Sequence, residues 1–149
     1  MTLAVDLPAD DVAVPVPLQM ALLVKVAGYD KNLRARAGDR VHVLLLTKSG
    51  SDESARVAAQ ADKALSSEDA IGGLPHDEFT TGYVDGAALA RLCKSRRVSI
   101  VYVTTGFADA DVQAIAAALS GGDVLSASAV SSYVQRGVVL GFDLVSGKP

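Results

Sequence analysis

Apolar and polar positions come in blocks along this chain, and their period changes from block to block. From Pro15 and Pro17 an apolar stretch runs to about Leu33, and Leu22, Val26, Tyr29 and Leu33 recur at helical spacing. Arg34–Arg40, with Gly38 inside it, reads as a polar break. Val41–Thr47 (VHVLLLT) is then apolar at nearly every position, the pattern of a strand buried on both faces. Ser49, Gly50, Ser51 and Asp52 mark a turn and a helix start, after which Val57, Ala58, Ala61 and Leu65 share one helical face. Gly72, Gly73 and Pro75 interrupt the chain ahead of a more polar strand expected at Glu78–Val84.

The same alternation follows a second time. Asp85 is a good N-cap for a helix carrying Leu89, Leu92 and Cys93, and Lys94, Arg96 and Arg97 suit its negative C-terminal end. Val98–Thr104 (VSIVYVT) is a second strongly apolar strand, and Val112, Ile115, Ala116 and Leu119 form an amphipathic helix stopped by Gly121–Gly122. Asp123–Ala127 reads as a short strand, Ala129–Arg136 as a short helix and Val138–Val145 as a last strand, with a hairpin turn at Ser146–Gly147. Strands alternating with helices predict a three-layer α/β/α sandwich on a mostly parallel open sheet of about five strands. Val41–Thr47 and Val98–Thr104 are expected at its centre, and an antiparallel edge at its C-terminal side. No interior linker or repeat divides the chain, so residues 1–149 are expected to form one domain, with 1–14 as a flexible tail and the last strand cut short.

Composition then narrows the function classes. The net charge of −3 comes without a dense block of Lys or Arg, so the electrostatic footprint of a nucleic-acid binder is absent. Leu18–Ala27 is too short to span a bilayer and Lys25 interrupts it, so no membrane insertion is expected. Residues 1–20 hold Asp6, Asp10 and Asp11 and no basic residue, unlike a secretory signal. Cys93 has no second cysteine to pair with.

Ligands of such sheets bind at the carboxyl ends of the strands. There the sequence places Thr47, Lys48, Ser49 and Gly50, then Thr104, Thr105 and Gly106, then Ser126, Ser128, Ser131 and Ser132. Thr47, Ser49, Thr104, Thr105, Ser126 and Ser128 are the candidate ligand-binding residues, a hydroxyl-rich rim for a small polar molecule. The same residue types also serve as ordinary helix caps and turn formers. Asp52, Glu53, Asp109 and Asp111 sit in the first turns of the following helices and would repel an anion. No GxGxxG or GxxxxGK[ST] pattern occurs, no His/Cys cluster has metal-ligand spacing and no Gly-x-Ser-x-Gly elbow follows a strand. His42 and His76 fall at strand starts, the opposite edge, and are expected to be structural or surface residues; Cys93, on an apolar helix face, is read as a buried hydrophobe. A phospho-accepting receiver domain would need an aspartate at the end of a central strand, where this chain has threonine. The expectation is a non-enzymatic domain with no cofactor and no metal.

Two segments carry a family resemblance. Leu18–Val43 (LQMALLVKVAGYDKNLRARAGDRVHV) resembles the first helix and strand of the YfiR-like family, and Ser126–Pro149 (SASAVSSYVQRGVVLGFDLVSGKP) resembles its closing signature of a serine-rich strand end, a short helix and a Gly-Lys-Pro turn. The resemblance implies a bacterial, periplasmic, non-enzymatic regulator with a protein partner, of the type that represses the periplasmic part of a membrane-bound diguanylate cyclase in cyclic-di-GMP signalling. Paired cysteines of that type are missing, so redox control does not carry over, and family chains continue beyond the Gly-Lys-Pro turn. The alternative expectation is a small-molecule-binding lobe resembling part of a periplasmic solute-binding protein. Apolar side chains at Val130, Tyr133, Val134, Val138, Val139, Leu140 and Phe142 further point to a homodimer.

Overall fold

A computed structural model describes residues 15–30, 33–120, 124–129 and 140–141. The first helix, α1 (Val16–Tyr29), starts on Pro15 and Pro17, whose fixed φ suits a first helical turn. It ends at Asp30, which is extended (ψ 108°), and Leu33 N–H returns to the Asp30 carbonyl at 3.2 Å to begin a separate short helix, α2 (Leu33–Ala37). The single helix expected as far as Leu33 is therefore two, and the expected polar break at Arg34–Arg40 is partly helical. Asp30 is the reason, because its carboxylate also takes the Arg36 guanidinium at 2.8 Å and folds α2 back.

Strand β1 (Val41–Thr47) leads to α3 (Asp52–Ser66), then β2 (His76–Gly82), α4 (Gly86–Ser95), β3 (Ile100–Val103), α5 (Asp109–Ser120), β4 (Leu125–Ser128) and β5 (Leu140–Gly141). Among the described residues the sheet has five strands in the order β2-β1-β3-β4-β5, and every pairing between them is parallel. Both apolar strands are interior: β1 lies between β2 and β3, and β3 between β1 and β4. The expected antiparallel C-terminal edge is corrected, since Leu140–Gly141 runs parallel to β4. The short helix at Ala129–Arg136, the rest of Val138–Val145 and the proposed dimer surface lie outside the described residues, as does the tail 1–14.

Period-two alternation along β1 and β3 sends successive side chains into two separate cores. Val41, Val43 and Leu45 join Ile100, Tyr102 and Ala127 beneath α1 and α3, while Leu44, Leu46, Val101 and Val103 pack against Leu89, Val112, Ile115 and Leu119 of α4 and α5. This is the α/β/α sandwich read from the sequence. The polar character of β2 follows from its place at the edge; its pairing starts at His76, earlier than expected, because Val41 N–H bonds the Pro75 carbonyl and fixes the register there. Among the described residues no helix is long and apolar enough to cross a membrane.

One polar pair lies inside the first core. Tyr102 Oη donates to Gln19 Oε1 at 2.6 Å, both residues being fully buried, and so fixes the rotation of α1 on the sheet. Burial pushes the Tyr102 phenol well above its usual range and keeps it a donor. Tyr102→Phe is expected to lower stability by about 1–3 kcal/mol, the cost of losing one partner of a buried bond. Urea unfolding checks the value, and Gln19→Leu made in the Tyr102→Phe background should cost less than Gln19→Leu alone.

Candidate functional site

Strand order reverses between β1 and β3, and a parallel sheet offers its binding position at the carboxyl ends on either side of such a reversal. Three exit loops meet there. Lys48–Ser51 follows β1, Tyr83–Asp85 follows β2 and Thr104–Ala108 follows β3. The loops touch: a Cβ on Gly106, which has φ +92°, would stand 3.3 Å from Ser51 Oγ, and one on Gly82 would stand 2.8 Å from Ser49 Oγ. Glycine at both positions is what lets the three loops close on one another.

Beneath the rim, a chain of hydrogen bonds closes the reversal. Lys48 N–H donates to Ser54 Oγ at 2.8 Å, Ser54 Oγ lies 2.6 Å from Thr104 Oγ1, and Thr104 Oγ1 donates to the Leu46 carbonyl at 2.8 Å. A hydroxyl has one proton. Thr104 spends its proton on Leu46, so Ser54 is the donor in the pair they share. The sequence of donors is thereby fixed from Lys48 through Ser54 and Thr104 to Leu46, joining β1, α3 and β3. Ser51 completes it as the N-cap of α3, its Oγ accepting from Ser54 N–H at 3.1 Å.

The six candidate hydroxyls are distributed differently from one another. Thr104 is fully buried within the chain just described, on the α3 side of the sheet. Thr47 is buried and donates to the Thr81 carbonyl at 3.3 Å, which ties β1 to β2. Ser49 is exposed on the rim, at 3.4 Å from the Tyr83 carbonyl. Ser126 and Ser128 are buried in register with Val101 and Val103, which puts them on the α5 side, the face opposite Thr104. Thr105 is buried in the β3 exit loop, and its hydroxyl has no partner among the described residues. The structure thus gathers Thr47, Ser49 and Thr104 with Thr105 around the reversal and sets Ser126 and Ser128 apart.

What the rim presents outward is charge and aromatic surface. Lys48 Nζ stands 3.6 Å from Asp111 Oδ2, so that the β1 loop and α5 are joined by an ion pair, both partners partly exposed. Tyr83 meets Phe107 edge to face, with ring centroids 5.9 Å apart, and Val84 beside it is largely exposed. Burial, and after it the charges of Asp111 and Asp85, raise the Tyr83 phenol above its ordinary value. Asp85 caps α4, its Oδ1 accepting from Ala88 N–H at 2.7 Å. Among the described residues of these loops Lys48 is the only cation, beside Asp85, Asp109 and Asp111. Ser54 and Tyr83 escaped the sequence reading; a hydroxyl in the third helical position after a buried strand was the signal for the first, whereas Tyr83 was absorbed into a strand that in fact ends at Gly82.

No known family model matches this chain, and no curated protein matches it. Among solved structures the chain is similar to the leucine-binding protein LivK from Thermotoga maritima. The identity is 20% and the TM-score 0.51, over 86% of this chain and 35% of that one. That likeness concerns the fold, and this chain spans about a third of the length of the protein it matches.

A second concavity lies at the C-terminal end of α3. Pro15, Val16, Pro17, Gln60, Lys63, Ala64 and Ser67 line an open, mainly apolar groove of about 630 Å³ between the start of α1 and the end of α3. It is distant from the strand ends and offers few polar groups. Among the described residues no cluster of three or more His, Cys, Asp and Glu could hold a metal ion. Burial pushes the Cys93 thiol up to about 11, which removes the thiolate a nucleophile would need.

The buried hydroxyl chain predicts unequal costs of substitution. Ser54→Ala, which strands Lys48 N–H without its acceptor, should lower stability by about 1–3 kcal/mol. Ser49→Ala, at an exposed and long bond, should change it by less than about 0.5 kcal/mol. Chemical denaturation of the two variants measures the contrast.

Proposed function

We propose that this chain is a non-enzymatic sensory domain whose strand-end rim binds a small zwitterion, an α-amino acid being the simplest. The observation that carries the reading is the Lys48–Asp111 pair spanning the β1 and β3 sides of the rim at 3.6 Å. A half-exposed pair of this kind stabilises the fold by no more than about 1 kcal/mol, so a ligand bearing both charges can divide it at little cost. Its carboxylate takes the Lys48 ammonium, and its ammonium takes Asp111 with Asp85 nearby. Ser49 supplies a hydroxyl at the lip, and Tyr83 and Val84 supply apolar surface for a side chain, with the buried Phe107 supporting the Tyr83 ring. The excess of carboxylates disfavours phosphate and nucleotides at the adjacent helix starts.

The leucine-binding neighbour supports this reading through the shared fold. The regulatory part rests on the segments Leu18–Val43 and Ser126–Pro149 that resemble YfiR-like regulators. On that basis the ligand signal passes to a protein partner, such as the periplasmic part of a membrane diguanylate cyclase, and the compartment is the periplasm.

Thermal unfolding with the standard amino acids, simple amines, inorganic phosphate and nucleotides tests the proposal. At a ligand concentration 100-fold above its Kd, an amino acid that binds should add about 2.7 kcal/mol of stability. Phosphate and nucleotides should add none. Lys48→Met and Asp111→Asn should each abolish the stabilisation while altering the ligand-free protein by about 0.5 kcal/mol or less. Failure of every amino acid to stabilise, or an undiminished response in both variants, overturns it.

A further inference from the structure

His76 and Glu78 take no part in the rim, yet on half-buried backbone their side chains are only 5% and 6% exposed. They stand two residues apart on the edge strand β2 and so share the face turned toward α3. His76 Nδ1 is hydrogen-bonded to Glu78 Oε2, and His76 Nε2 lies 2.8 Å from the Glu68 carbonyl in the segment that leaves α3. A carbonyl only accepts, so Nε2 carries a proton. A carboxylate also only accepts, so Nδ1 carries one as well. With both nitrogens protonated the ring is an imidazolium, and a neutral ring would leave one of the two acceptors facing a lone pair.

Several polar groups surround the pair, one of them a cation that opposes the ring's charge. Ser66 Oγ, on α3, is 3.4 Å from both Glu78 Oε1 and Asp62 Oδ1. Arg40, just before β1, donates from Nη1 to the His76 carbonyl at 3.3 Å. Asp77, the remaining carboxylate of β2 beside it, points to the other face and accepts from or pairs with His42 Nδ1 of β1 at 2.8 Å. The two histidines therefore have separate partners on opposite faces of the sheet.

We propose that His76, Glu78 and the Glu68 carbonyl form a protonation-dependent latch that fixes the foot of edge strand β2 to the exit of α3 and loosens as pH rises. An edge strand is the element on which such a latch can act, because among the described residues β2 is paired on one side only. Burial by itself would depress the histidine, but the Glu68 carbonyl, then the Glu78 carboxylate and Asp77 outweigh it and hold the ring above its ordinary value of 6.5. Below 6.5 the ring is protonated in both the folded and unfolded chain, and the latch contributes in full. Between 6.5 and the raised folded value, folding requires uptake of a proton, so stability falls with increasing pH. Above the folded value the contribution is gone. The inference stands independently of the ligand proposed for the rim.

The test is amide hydrogen exchange with histidine-ring NMR on the full chain from pH 5.5 to 9, read as protection factors to remove the intrinsic effect of base. The His76 ring should titrate above 6.5, and over the same range the protection of β2 amides near His76 should fall relative to β3 amides, about tenfold for each unit by which the ring is raised. Glu78→Gln should move the midpoint to lower pH, whereas His42→Gln should leave it in place. A His76 ring titrating at or below 6.5 overturns the latch, as does a fall in protection that β2 and β3 share equally. A midpoint that follows His42→Gln overturns it too. Because the ring titration is read on the unaltered chain, it decides the matter even if Glu78→Gln fails to fold.

Discussion

Everything in this structure depends on burying two neighbouring strands on both faces at the place where the chain reverses its direction of winding. β1 and β3 supply the side chains of both cores, so neither can lose its cover without exposing Val43 and Leu45 or Leu44 and Leu46 of β1, or Ile100 and Tyr102 or Val101 and Val103 of β3. At about 25 cal/mol per Å² of apolar surface, such exposure outweighs any single polar interaction in the molecule. The same burial creates a polar problem at the strand ends, where main-chain groups leave the ladder without yet reaching solvent. Ser54 and Thr104 answer it by passing one donor to the next from Lys48 N–H to the Leu46 carbonyl.

That solution decides which atoms remain for recognition. Thr47 and Thr104 are engaged inside the protein, so what projects above the strand ends is the Lys48 ammonium, the carboxylates of Asp111 and Asp85, and the Tyr83 ring, which rests edge to face on the buried Phe107. Fold and function are thus separated by depth. Hydroxyls hold the reversal together, and under the proposed function the surface charges are what a ligand would meet. The groove between α1 and α3 has the opposite character, apolar with few polar groups, and sits away from the reversal.

The architecture was legible in the sequence because it follows from periodicity. Val41–Thr47 and Val98–Thr104 announced buried parallel strands, Ser51 and Asp85 announced the helix starts they cap, and the helical stripes at Val57–Leu65 and Val112–Leu119 lie on the cores as expected. Features set by one residue or by distant partners were not legible. Asp30 divides an otherwise continuous apolar stretch, and its effect depends on Arg36 folding back to it. The register of β2 is fixed by the Val41–Pro75 bond, which no local pattern reveals. A threonine at a strand end looks the same in sequence whether it faces a ligand or, like Thr104, a serine on a packed helix. The parallel course of Leu140–Gly141 was masked by a hairpin signal at Ser146–Gly147, which carries no information about the partner on the other side of the strand.

Amide chemical-shift mapping during titration with a stabilising amino acid addresses the central claim most directly, since it reports where on the fold the ligand sits. Binding at the reversal should shift the amides of Lys48–Ser51, Tyr83–Asp85 and Gly106–Asp111 together, and leave those of Gln60–Ser67 unmoved. Shifts concentrated at Val16 and Gln60–Ser67, with the three strand-end loops unchanged, would contradict the account and move the binding site to the groove between α1 and α3.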